Sequence, residues 1–397
     1  MLLSSIKRHC DAVLARLPKH RMLTIDVFRG IAITAMILVN NPGSWQYVYA
    51  PLRHAEWHGL TPTDLVFPFF IITMGIAIGL TFSADKVGGN RAAILIKVGK
   101  RTLTLFVLGL LLAVFYYNVT DPHFNWWKEQ VEEIRILGVL QRLALVYAAC
   151  AVLALLLNNK QLVAVSIALL VGYSGLLLYM PYGLGADVYV GELLMGNNYA
   201  AYIDQAVLGR AHLYYADAQP FATDPEGILS TFPAVVSGLI GVVLGRHLVR
   251  PNTLELIQRL WLIGILLTLV GWGMDRWMPI NKALWSASFV LVTAGLALLF
   301  IAALHTLIDK HCIRRWSAPF IVFGANSLLF FMFSGVLARI TVMIPVGDTT
   351  LKGALYSQIF QPAFGNYFGS LMYACVFLMV SYAVFYGLYK RGIFWKV

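Results

Sequence analysis

Charged side chains are scarce in this chain of 397 residues: they make up 12% of it, against 59% hydrophobic residues and a mean hydropathy of +0.73. A soluble domain carries about a quarter charged residues, so a soluble globular protein is excluded. The alternating ten-residue strands of an outer-membrane barrel are missing as well. Because lipid admits only helices and closed barrels, the sequence predicts an all-α polytopic membrane protein.

Several familiar cofactor and scaffold patterns are also missing. The sequence has no P-loop, no glycine-rich dinucleotide fingerprint, no internal repeat and no Cys/His spacing for a metal, so no metal cofactor is expected. Its four cysteines, Cys10, Cys150, Cys312 and Cys375, fall outside the predicted outer loops, which argues against a disulfide scaffold. The first apolar run lacks a small-residue cleavage site and is predicted to stay as an anchor.

Ten apolar runs have about the 20 residues that a membrane span needs. They lie near residues 27–40, 63–82, 100–117, 136–157, 161–180, 228–245, 257–274, 284–306, 317–336 and 368–388. Of the thirty Lys and Arg residues, twenty lie on the side shared by the two termini, eight lie on the other side and two lie inside spans. The positive-inside rule therefore predicts cytoplasmic termini and an outward-facing His54. The net charge of +11 is explained by topology, so no nucleic acid partner is required.

The chain divides into two predicted parts. Residues 1–20 mix basic residues with apolar ones such as Ile6 and Val13, which predicts a basic amphipathic helix on the inner membrane surface. Residues 21–397 are predicted to form one transmembrane domain. It contains a hairpin of two spans, residues 21–83, and a long outer loop, residues 181–227.

The tip of the hairpin carries an unusual group of polar residues, His54-Ala-Glu-Trp-His-Gly-Leu-Thr-Pro-Thr-Asp64. Polar groups so close to lipid are costly unless they have a partner or a function. A histidine is a suitable general base because its unperturbed pKa is about 6.5, although an outer-loop histidine can also be merely solvated. Asp64 has a structural explanation too, since Thr61 and Asp64 have the spacing of a capping box.

The hairpin resembles the signature of the heparan-α-glucosaminide N-acetyltransferase family, membrane enzymes that move acetyl groups from cytoplasmic acetyl-CoA to a sugar across the membrane. The matching segments follow the family's order and are residues 26–30, 39–40, 54–68, 138–142, 224–231, 279–285 and 323–327. The chain departs from the animal members at Ser334-Gly335, where they have a His-Glu pair, and we expect it to be without their extra amino-terminal outer domain. We therefore expect a multi-pass protein of the bacterial inner membrane.

The resemblance implies a site. His54 falls on the family's catalytic histidine and Asn40 on the asparagine that accompanies it. His54 would act either as general base in a ternary complex or as a transient acetyl carrier. The expected co-substrate is acetyl-CoA and the expected acceptor is an amino sugar, contacted by Trp57, His58, Asp64 and Glu226. The polar residues available to bind acetyl-CoA along a path through the membrane are Asp26, Arg29, Lys97, Lys100, Arg101, Gln141, Arg142 and Asn326.

Simpler explanations stand beside several of these assignments. Lys97, Lys100 and Arg101 fit ordinary positive-inside anchoring as well as CoA phosphate binding. Asp26 and Arg29 fit an i,i+3 pair, and Arg142 fits a buried ion pair with Asp26 or with Asp64. The tyrosines of the long loop fit an interfacial aromatic belt as well as a sugar-binding surface.

Two other functions remain open from the sequence. The chain could be a transporter of amino sugars or oligosaccharides, or an O-acetyltransferase of a surface glycan. A transporter would often show inverted repeats and paired broken helices, which the sequence does not reveal. The lipid bilayer is the expected partner, and a homodimer is the default expectation for an oligomer.

Overall fold

The computed structural model describes residues 2–17, 22–82, 91–185, 187–248 and 253–395, and these form a bundle of helices. The α-helices are α1 (Leu2–Leu14), α2 (Leu23–Asn40), α3 (Val66–Thr81), α4 (Arg91–Val114), α5 (Val139–Leu156), α6 (Asn159–Tyr179), α7 (Tyr199–Leu208), α8 (Thr231–Leu248), α9 (Thr253–Met274), α10 (Ala287–His305), α11 (Ala318–Ala325), α12 (Ser327–Met343), α13 (Leu351–Leu355), α14 (Gln361–Phe364) and α15 (Asn366–Lys390).

Short elements fill the loops. Three antiparallel pairs are β1 (Tyr182–Leu184) with β2 (Asp187–Tyr189), β3 (Leu193–Leu194) with β4 (Asn197–Asn198), and β5 (Pro345–Val346) with β6 (Thr349–Thr350). Turns of 3-10 helix span Ala50–Leu52, Pro62–Leu65, Arg210–His212 and Arg315–Ser317, and π-helical turns span Lys128–Glu132, Thr306–Lys310 and Tyr356–Phe360.

The prediction of an all-α polytopic membrane protein is confirmed. Within the described ranges, eight helices are long and apolar enough to cross a membrane, and a ninth span results if α11 and α12, bent by 77° at their junction, count as one. The remaining predicted span, residues 100–117, coincides with α4, which is long enough but carries Arg91, Lys97, Lys100 and Arg101 in its first half. Which side of the membrane the termini face stays a prediction.

Buried and exposed residues separate along the bundle. Helices α2, α3, α5, α8 and α10 contribute most of the buried core, in which Trp285, Phe28 and Phe289 are fully enclosed. Helices α6, α9 and α15 instead present large apolar side chains outward, among them Val171 and Leu262. Exposed apolar surface of this extent is what a lipid-facing helix requires.

Helices α3 and α8 pack with their backbones in direct contact. A Cβ atom on Gly75 would overlap the carbonyl of Gly238, and one on Gly79 would overlap the carbonyl of Val242. Gly241 faces α3 in the same way, meeting the carbonyl of Ile72. These glycines serve helix packing, because only glycine allows so close an approach.

The amino-terminal helix packs on the bundle. Val13 is fully buried, its carbonyl accepts a hydrogen bond from the Tyr389 hydroxyl (3.1 Å), and His9 Nε2 lies 2.7 Å from the Tyr382 hydroxyl. Asp11 pairs with Arg315 at 2.8 Å. The predicted amphipathic helix is therefore present as Leu2–Leu14, whereas residues 18–21 lie outside the described residues and its membrane contact stays a prediction.

The long loop has more structure than its composition indicates. It holds two β-hairpins and α7, and the rings of Tyr182, Tyr189, Tyr199, Tyr202 and Phe221 pack on one another with centroids 5.3–6.5 Å apart. Most of the tyrosines predicted to bind sugar are thus in tilted or edge-to-face contact with one another and form a small aromatic cluster within the loop.

Candidate active site

The polar tip of the hairpin is held by the start of its second helix. Thr61 is the N-cap of the 3-10 turn that leads into α3, and Asp64 is three residues later. The Thr61 backbone N–H donates to Asp64 Oδ2 (3.0 Å) while the Asp64 N–H donates to the Thr61 carbonyl (3.0 Å). The capping box expected for Asp64 is confirmed.

Asp64 also holds His54. Its Oδ1 lies 2.6 Å from His54 Nδ1, and its Oδ2 accepts the backbone N–H of Ala55 (3.1 Å). The carboxylate is 1% exposed, whereas the His54 side chain is 46% exposed. When Nδ1–H donates to the carboxylate, Nε2 is left with the lone pair that a general base needs.

Lys282 approaches the same imidazole from another part of the chain. Its Nζ lies 3.1 Å from each ring nitrogen of His54 and 4.0 Å from Asp64 Oδ1. Burial lowers the pKa of Lys282 below its ordinary value, against the opposing pull of Glu226 and Asp64. Sequence reasoning missed this lysine as a site residue, although it lies in the matching segment 279–285.

The loop that carries Lys282 is fastened to the hairpin by main-chain contacts. Asn281 Nδ2 donates to the Trp57 carbonyl (2.9 Å), and the Gly59 N–H donates to the Ile280 carbonyl (2.8 Å). Asn281 Oδ1 in turn accepts the N–H of Leu284 (2.8 Å). These contacts join two segments more than 200 residues apart in the chain and thereby fix the position of Lys282 relative to His54.

A second group of charged residues, Arg135 with Asp224 and Glu226, lies near His54 and Lys282. Arg135 donates from Nε to Asp224 Oδ2 (2.8 Å) and from Nη2 to Glu226, and its guanidinium lies 4.6 Å from the Tyr214 ring centre. Burial would lower the pKa of Arg135, but the two carboxylates raise it well above its ordinary value. Burial alone would likewise raise the pKa of Glu226, but Arg135, Arg142 and Lys282 together lower it.

Three adjoining cavities meet at Asn40. The first, of about 240 Å³, we call the acid–base cavity; its lining includes Asn40, His54, Glu56, Trp57, Asp64, Arg135, Tyr214, Tyr215, Glu226 and Lys282. The second, of about 420 Å³, we call the inner cavity; it lies between α2, α4, α5 and α12 and its lining includes Asn40, Gly109, Gly138, Gln141, Ser334, Gly335 and Arg339.

The third, of about 330 Å³, we call the cation cavity; its lining is Asn40, Asn41, Trp45, Ala113, Tyr116, Gln130, Ala338, Arg339, Thr341, Val342, Lys352 and Tyr373. Asn40 lines all three, and no hydrogen bond of its side chain is found among the described residues. Its amide is therefore available where the three spaces join.

The predicted acceptor residues are partly brought together. Asp64, Glu226 and Trp57 line the acid–base cavity with His54, and Trp57 Nε1 also donates to the Leu193 carbonyl (2.8 Å). His58 does not line it: its Nδ1 lies 3.3 Å from Asn281 Nδ2, and burial lowers its pKa although Asp275 opposes the shift.

The residues predicted along an acetyl-CoA path are more dispersed. Gln141 lines the inner cavity. Arg142 is fully buried and donates to the Gly227 carbonyl (3.1 Å) and the Ser230 hydroxyl, with its guanidinium 5.3 Å from the Trp285 ring centre. Its contacts are thus with the 224–230 segment. The explanation of Arg142 as an ion-pair partner of Asp26 or Asp64 is therefore wrong.

The other predicted path residues lie apart from the three cavities. Asp26 and Arg29 form the expected i,i+3 pair at 2.9 Å, and Arg29 also donates to the Gly324 carbonyl (2.9 Å). Lys97, Lys100 and Arg101 are exposed on α4, where the Arg101 guanidinium lies 4.5 Å from the Tyr147 ring centre.

The side chain of Asn326 makes structural contacts. It is buried at the junction of α11 and α12, where its Nδ2 donates to the Ile393 carbonyl (2.9 Å) and its Oδ1 accepts the Trp395 N–H (2.9 Å). Both ends of the amide are therefore used by the carboxyl-terminal backbone.

Comparison with known proteins identifies the family of the chain. A family model described as "Heparan-alpha-glucosaminide N-acetyltransferase, catalytic" matches residues 21–273. The chain is 30% identical over 359 residues to the heparan-alpha-glucosaminide N-acetyltransferase of Homo sapiens, covering 79% of this chain and 52% of that protein. It is 28% identical over 432 aligned positions to the Mus musculus protein of the same name, covering 95% of this chain and 61% of that protein. The chain therefore spans about half to three fifths of the length of these relatives.

Proposed function

The chain belongs to the heparan-α-glucosaminide N-acetyltransferase family, and from that premise we propose that it transfers the acetyl group of acetyl-CoA to the amine of an amino sugar. The observation that carries this proposal is the acid–base cavity, in which an exposed imidazole is oriented by a buried carboxylate. A histidine fixed by a carboxylate in this way is the arrangement that acyl transfer to a weak nucleophile needs.

In the proposed reaction His54 acts as the base. The acceptor amine attacks the thioester carbonyl, a C–N bond forms, and Nε2 of His54 takes one amine proton. The Nδ1–H bond to Asp64 stabilises the resulting imidazolium. When the intermediate collapses, the C–S bond breaks and the proton on Nε2 passes to the leaving thiolate of CoA, which restores neutral His54.

The developing oxyanion needs donors, and two are at hand. The amide of Asn40 lies at the junction of the cavities, and the ammonium of Lys282 lies beside the imidazole. Donors fixed in place before the reaction lower the barrier because they need not reorganise. We assign both to this role.

The same residues suit a second order of events, in which Nε2 of His54 attacks the thioester, is acetylated, and then passes the acetyl group to the amine. Rapid acid quenching of enzyme mixed with labelled acetyl-CoA separates the two orders. Label that stays on wild-type protein without acceptor supports the carrier route, and its absence supports the ternary complex.

We place the donor arm in the inner cavity. This cavity, of about 420 Å³, adjoins Asn40 and can take a slender chain such as pantetheine. The exposed cations Lys97, Lys100 and Arg101 on the first half of α4 are the proposed contacts of the CoA phosphates, because arginine gives bidentate and lysine point-charge contacts. Acetyl-CoA would thus enter from the cytoplasm and the acceptor from the periplasm of a bacterial inner membrane.

Acetyl transfer from radiolabelled acetyl-CoA to glucosamine tests the proposal, using purified protein in detergent. His54→Ala should lose activity by about a thousandfold, as removal of a general base does. His123→Ala is the matched control, since His123 is an exposed outer-loop histidine that lines none of the three cavities. Equal activity of both variants would refute the role of His54. Uptake of labelled glucosamine into vesicles without acetylation would favour a transporter, and product resistant to amide hydrolysis but cleaved by mild base would favour O-acetylation.

Sidedness has its own test. Cysteine placed at exposed position 56, beside His54, should react in intact cells with a membrane-impermeant maleimide. Cysteine placed at Lys97 should react only after the cells are opened. The reverse pattern would refute transfer across the membrane while leaving the chemistry intact.

A further inference from the structure

The acid–base cavity contains an aliphatic amine that belongs to the protein itself. Among the described residues that line this cavity, Lys282 is the only lysine, and its side chain is 21% exposed. A neutral lysine side chain and the neutral amine of an amino sugar are the same kind of nucleophile. The cavity thus holds, beside its base, a second group on which acetyl transfer can end.

The distances give Lys282 the same relation to the base that an acceptor amine needs. Its Nζ lies 3.1 Å from Nε2 and 3.1 Å from Nδ1 of His54. A general base must lie within about 2.6–3.2 Å of the group whose proton it removes. Since Nδ1 is engaged by Asp64 at 2.6 Å, Nε2 is the nitrogen left to accept a proton from the lysine.

The surroundings of Lys282 favour its neutral form. Burial lowers the pKa of Lys282 and Arg142 adds to the effect, while Glu226 and Asp64 oppose it without cancelling it. At a given pH, a larger fraction of Lys282 than of a solvated lysine is therefore the neutral amine. Asp64 Oδ1 is 4.0 Å from Nζ, beyond hydrogen-bond distance, so this carboxylate does not hold the amine as a tightly paired ammonium.

The backbone on both sides of Lys282 is fixed. Asn281 is fully buried, donates to the Trp57 carbonyl (2.9 Å) and accepts the N–H of Leu284 (2.8 Å). The Ile280 carbonyl accepts the N–H of Gly59 (2.8 Å). A nucleophile held beside its base reacts far faster than the same group free in solution. The fold therefore distinguishes this lysine from those on the surface.

We propose that Lys282 is a site of self-acetylation: with acetyl-CoA bound and no acceptor in the cavity, its Nζ attacks the thioester carbonyl in the acceptor's place. A C–N bond forms, and Nε2 of His54 takes one amine proton. The C–S bond then breaks, the proton passes to the thiolate of CoA, and the products are an acetyl-lysine amide and free CoA. This inference rests on the proposed acetyl transfer and adds a modification site to it.

Acetylation of Lys282 would stop the transfer reaction. The amide is neutral, so the ammonium assigned to the developing oxyanion would be lost, and the added acetyl group would occupy space beside His54. An amide does not pass its acetyl group on to another amine, whereas a thioester or an acetylimidazole does. The protein would therefore cease to consume acetyl-CoA when the donor is present and the acceptor is absent.

Mapping of the acetyl group tests the site. The purified chain in detergent is incubated with acetyl-CoA that is isotope-labelled in its acetyl group, with and without glucosamine, and is then digested for mass spectrometry. We expect Lys282 to be labelled at least about tenfold faster than Lys128, an exposed lysine that lines none of the three cavities. Glucosamine should slow the labelling because it competes for the same acetyl group. His54→Ala should reduce labelling of Lys282 to the rate of Lys128.

Hydroxylamine separates this label from an acetyl group carried by His54. It removes an acetyl group from imidazole but leaves an amide intact, so the label on Lys282 should persist. The label should also stay in place when glucosamine is added afterwards.

Activity after preincubation gives a second readout. Wild-type protein kept with acetyl-CoA alone should lose activity in proportion to the fraction of Lys282 that is labelled. Lys282→Arg, which keeps the positive charge and is not acetylated in this way, should hold its own starting activity throughout. Lys128→Arg is the matched control and should lose activity as the wild-type protein does.

Labelling of Lys282 no faster than that of Lys128 would overturn the inference, and this comparison within the wild-type protein does not depend on the folding of any variant. Labelling that His54→Ala leaves unchanged would also overturn it, because the reaction would then not need the base. Transfer to glucosamine without label on Lys282 would overturn self-acetylation alone and leave the proposed function standing. Label on Lys282 without transfer to glucosamine would support self-acetylation and refute the proposed acceptor.

Discussion

The acid–base cavity and the cation cavity adjoin at Asn40 but are built on opposite electrostatic plans. In the first, every cation has an acidic neighbour: Lys282 lies near Asp64, and Arg135 pairs with Asp224 and Glu226. In the second, Arg339 and Lys352 share a space whose lining contains no acid. Paired charges hold a site in its working geometry before any ligand arrives, whereas cations without an acidic neighbour keep unused donor groups.

The largest effect should come from removing the Asp64 carboxylate that holds His54 in the acid–base cavity. Asp64→Asn removes the acceptor that fixes the His54 tautomer, so kcat should fall by about a thousandfold to ten-thousandfold. Thr61→Ala is the matched control: it removes the capping hydroxyl at a cost of about 1 kcal/mol of stability but leaves the contact between His54 and Asp64. If Asp64 serves only to begin the helix, both variants will lose stability and both will keep their activity.

The next largest effect should come from the loss of Arg135. Arg135→Gln removes the ion-pair partner of the buried carboxylates Asp224 and Glu226 and should cost about 3 kcal/mol of stability, seen as a lowered Tm in detergent. Adding Glu226→Gln to that variant removes part of the uncompensated charge and should recover part of the loss. A double variant less stable than the single one would show that the carboxylates do not depend on Arg135.

Substitution of Lys282 tests whether the acid–base cavity contains an oxyanion donor. Lys282→Met should lower kcat by about a hundredfold, the usual cost of one such donor, with little change in the KM for acetyl-CoA. Lys128→Met, which replaces an exposed lysine of the π-helical turn Lys128–Glu132, is the control. If Lys282 contributes through charge, Lys282→Arg will restore much of the rate; a methionine variant with wild-type kcat would remove Lys282 from the mechanism.

The smallest effect should be the change in pH-dependent stability caused by Asp204. This buried carboxyl group accepts the Ile228 N–H at Oδ1 (2.7 Å). Burial raises the pKa of Asp204 to about 7, so the folded protein holds a proton there that the unfolded chain releases near its ordinary pKa. Stability from this group is complete below that ordinary value and is lost as pH rises through about 7.

We therefore expect Tm to fall between about pH 5 and pH 8, and to fall less in Asp204→Asn, which stays neutral. Asp217→Asn, at an exposed position of the same loop, should keep the wild-type slope. Identical slopes in all three proteins would mean that Asp204 keeps an ordinary pKa.

The sequence predicts what depends on local composition. Each of the ten apolar runs coincides with a helix or with the bent pair α11 and α12, because crossing lipid requires a fixed length of apolar residues. The capping box at Thr61 and the pair of Asp26 and Arg29 follow from spacing alone. His54 and Asn40 came from the family resemblance and lie together on one cavity.

Contacts between distant segments could not be predicted in this way. Lys282 is 228 residues from His54, and the matching segment 279–285 that contains it does not show that its side chain reaches the imidazole. Arg135 was counted only as an outer-loop charge, because its partners Asp224 and Glu226 belong to another loop. Asn326 was assigned to a ligand path as one of the polar residues available along it, but its amide is bonded to the backbone of residues 393 and 395.

The glycine contact between α3 and α8 has a consequence for movement. Their backbones touch at Gly75 and Gly241, so the two helices cannot slide or tilt against each other without collision. They act as a fixed frame, and α3 carries the Asp64 end of the site on that frame. If large substrates are to enter and leave, the bundle must open elsewhere. We expect the hinge to lie at the break between α11 and α12. Helix α12 contacts α4 through Gly335 and Leu112, and these two helices would then be the ones that move.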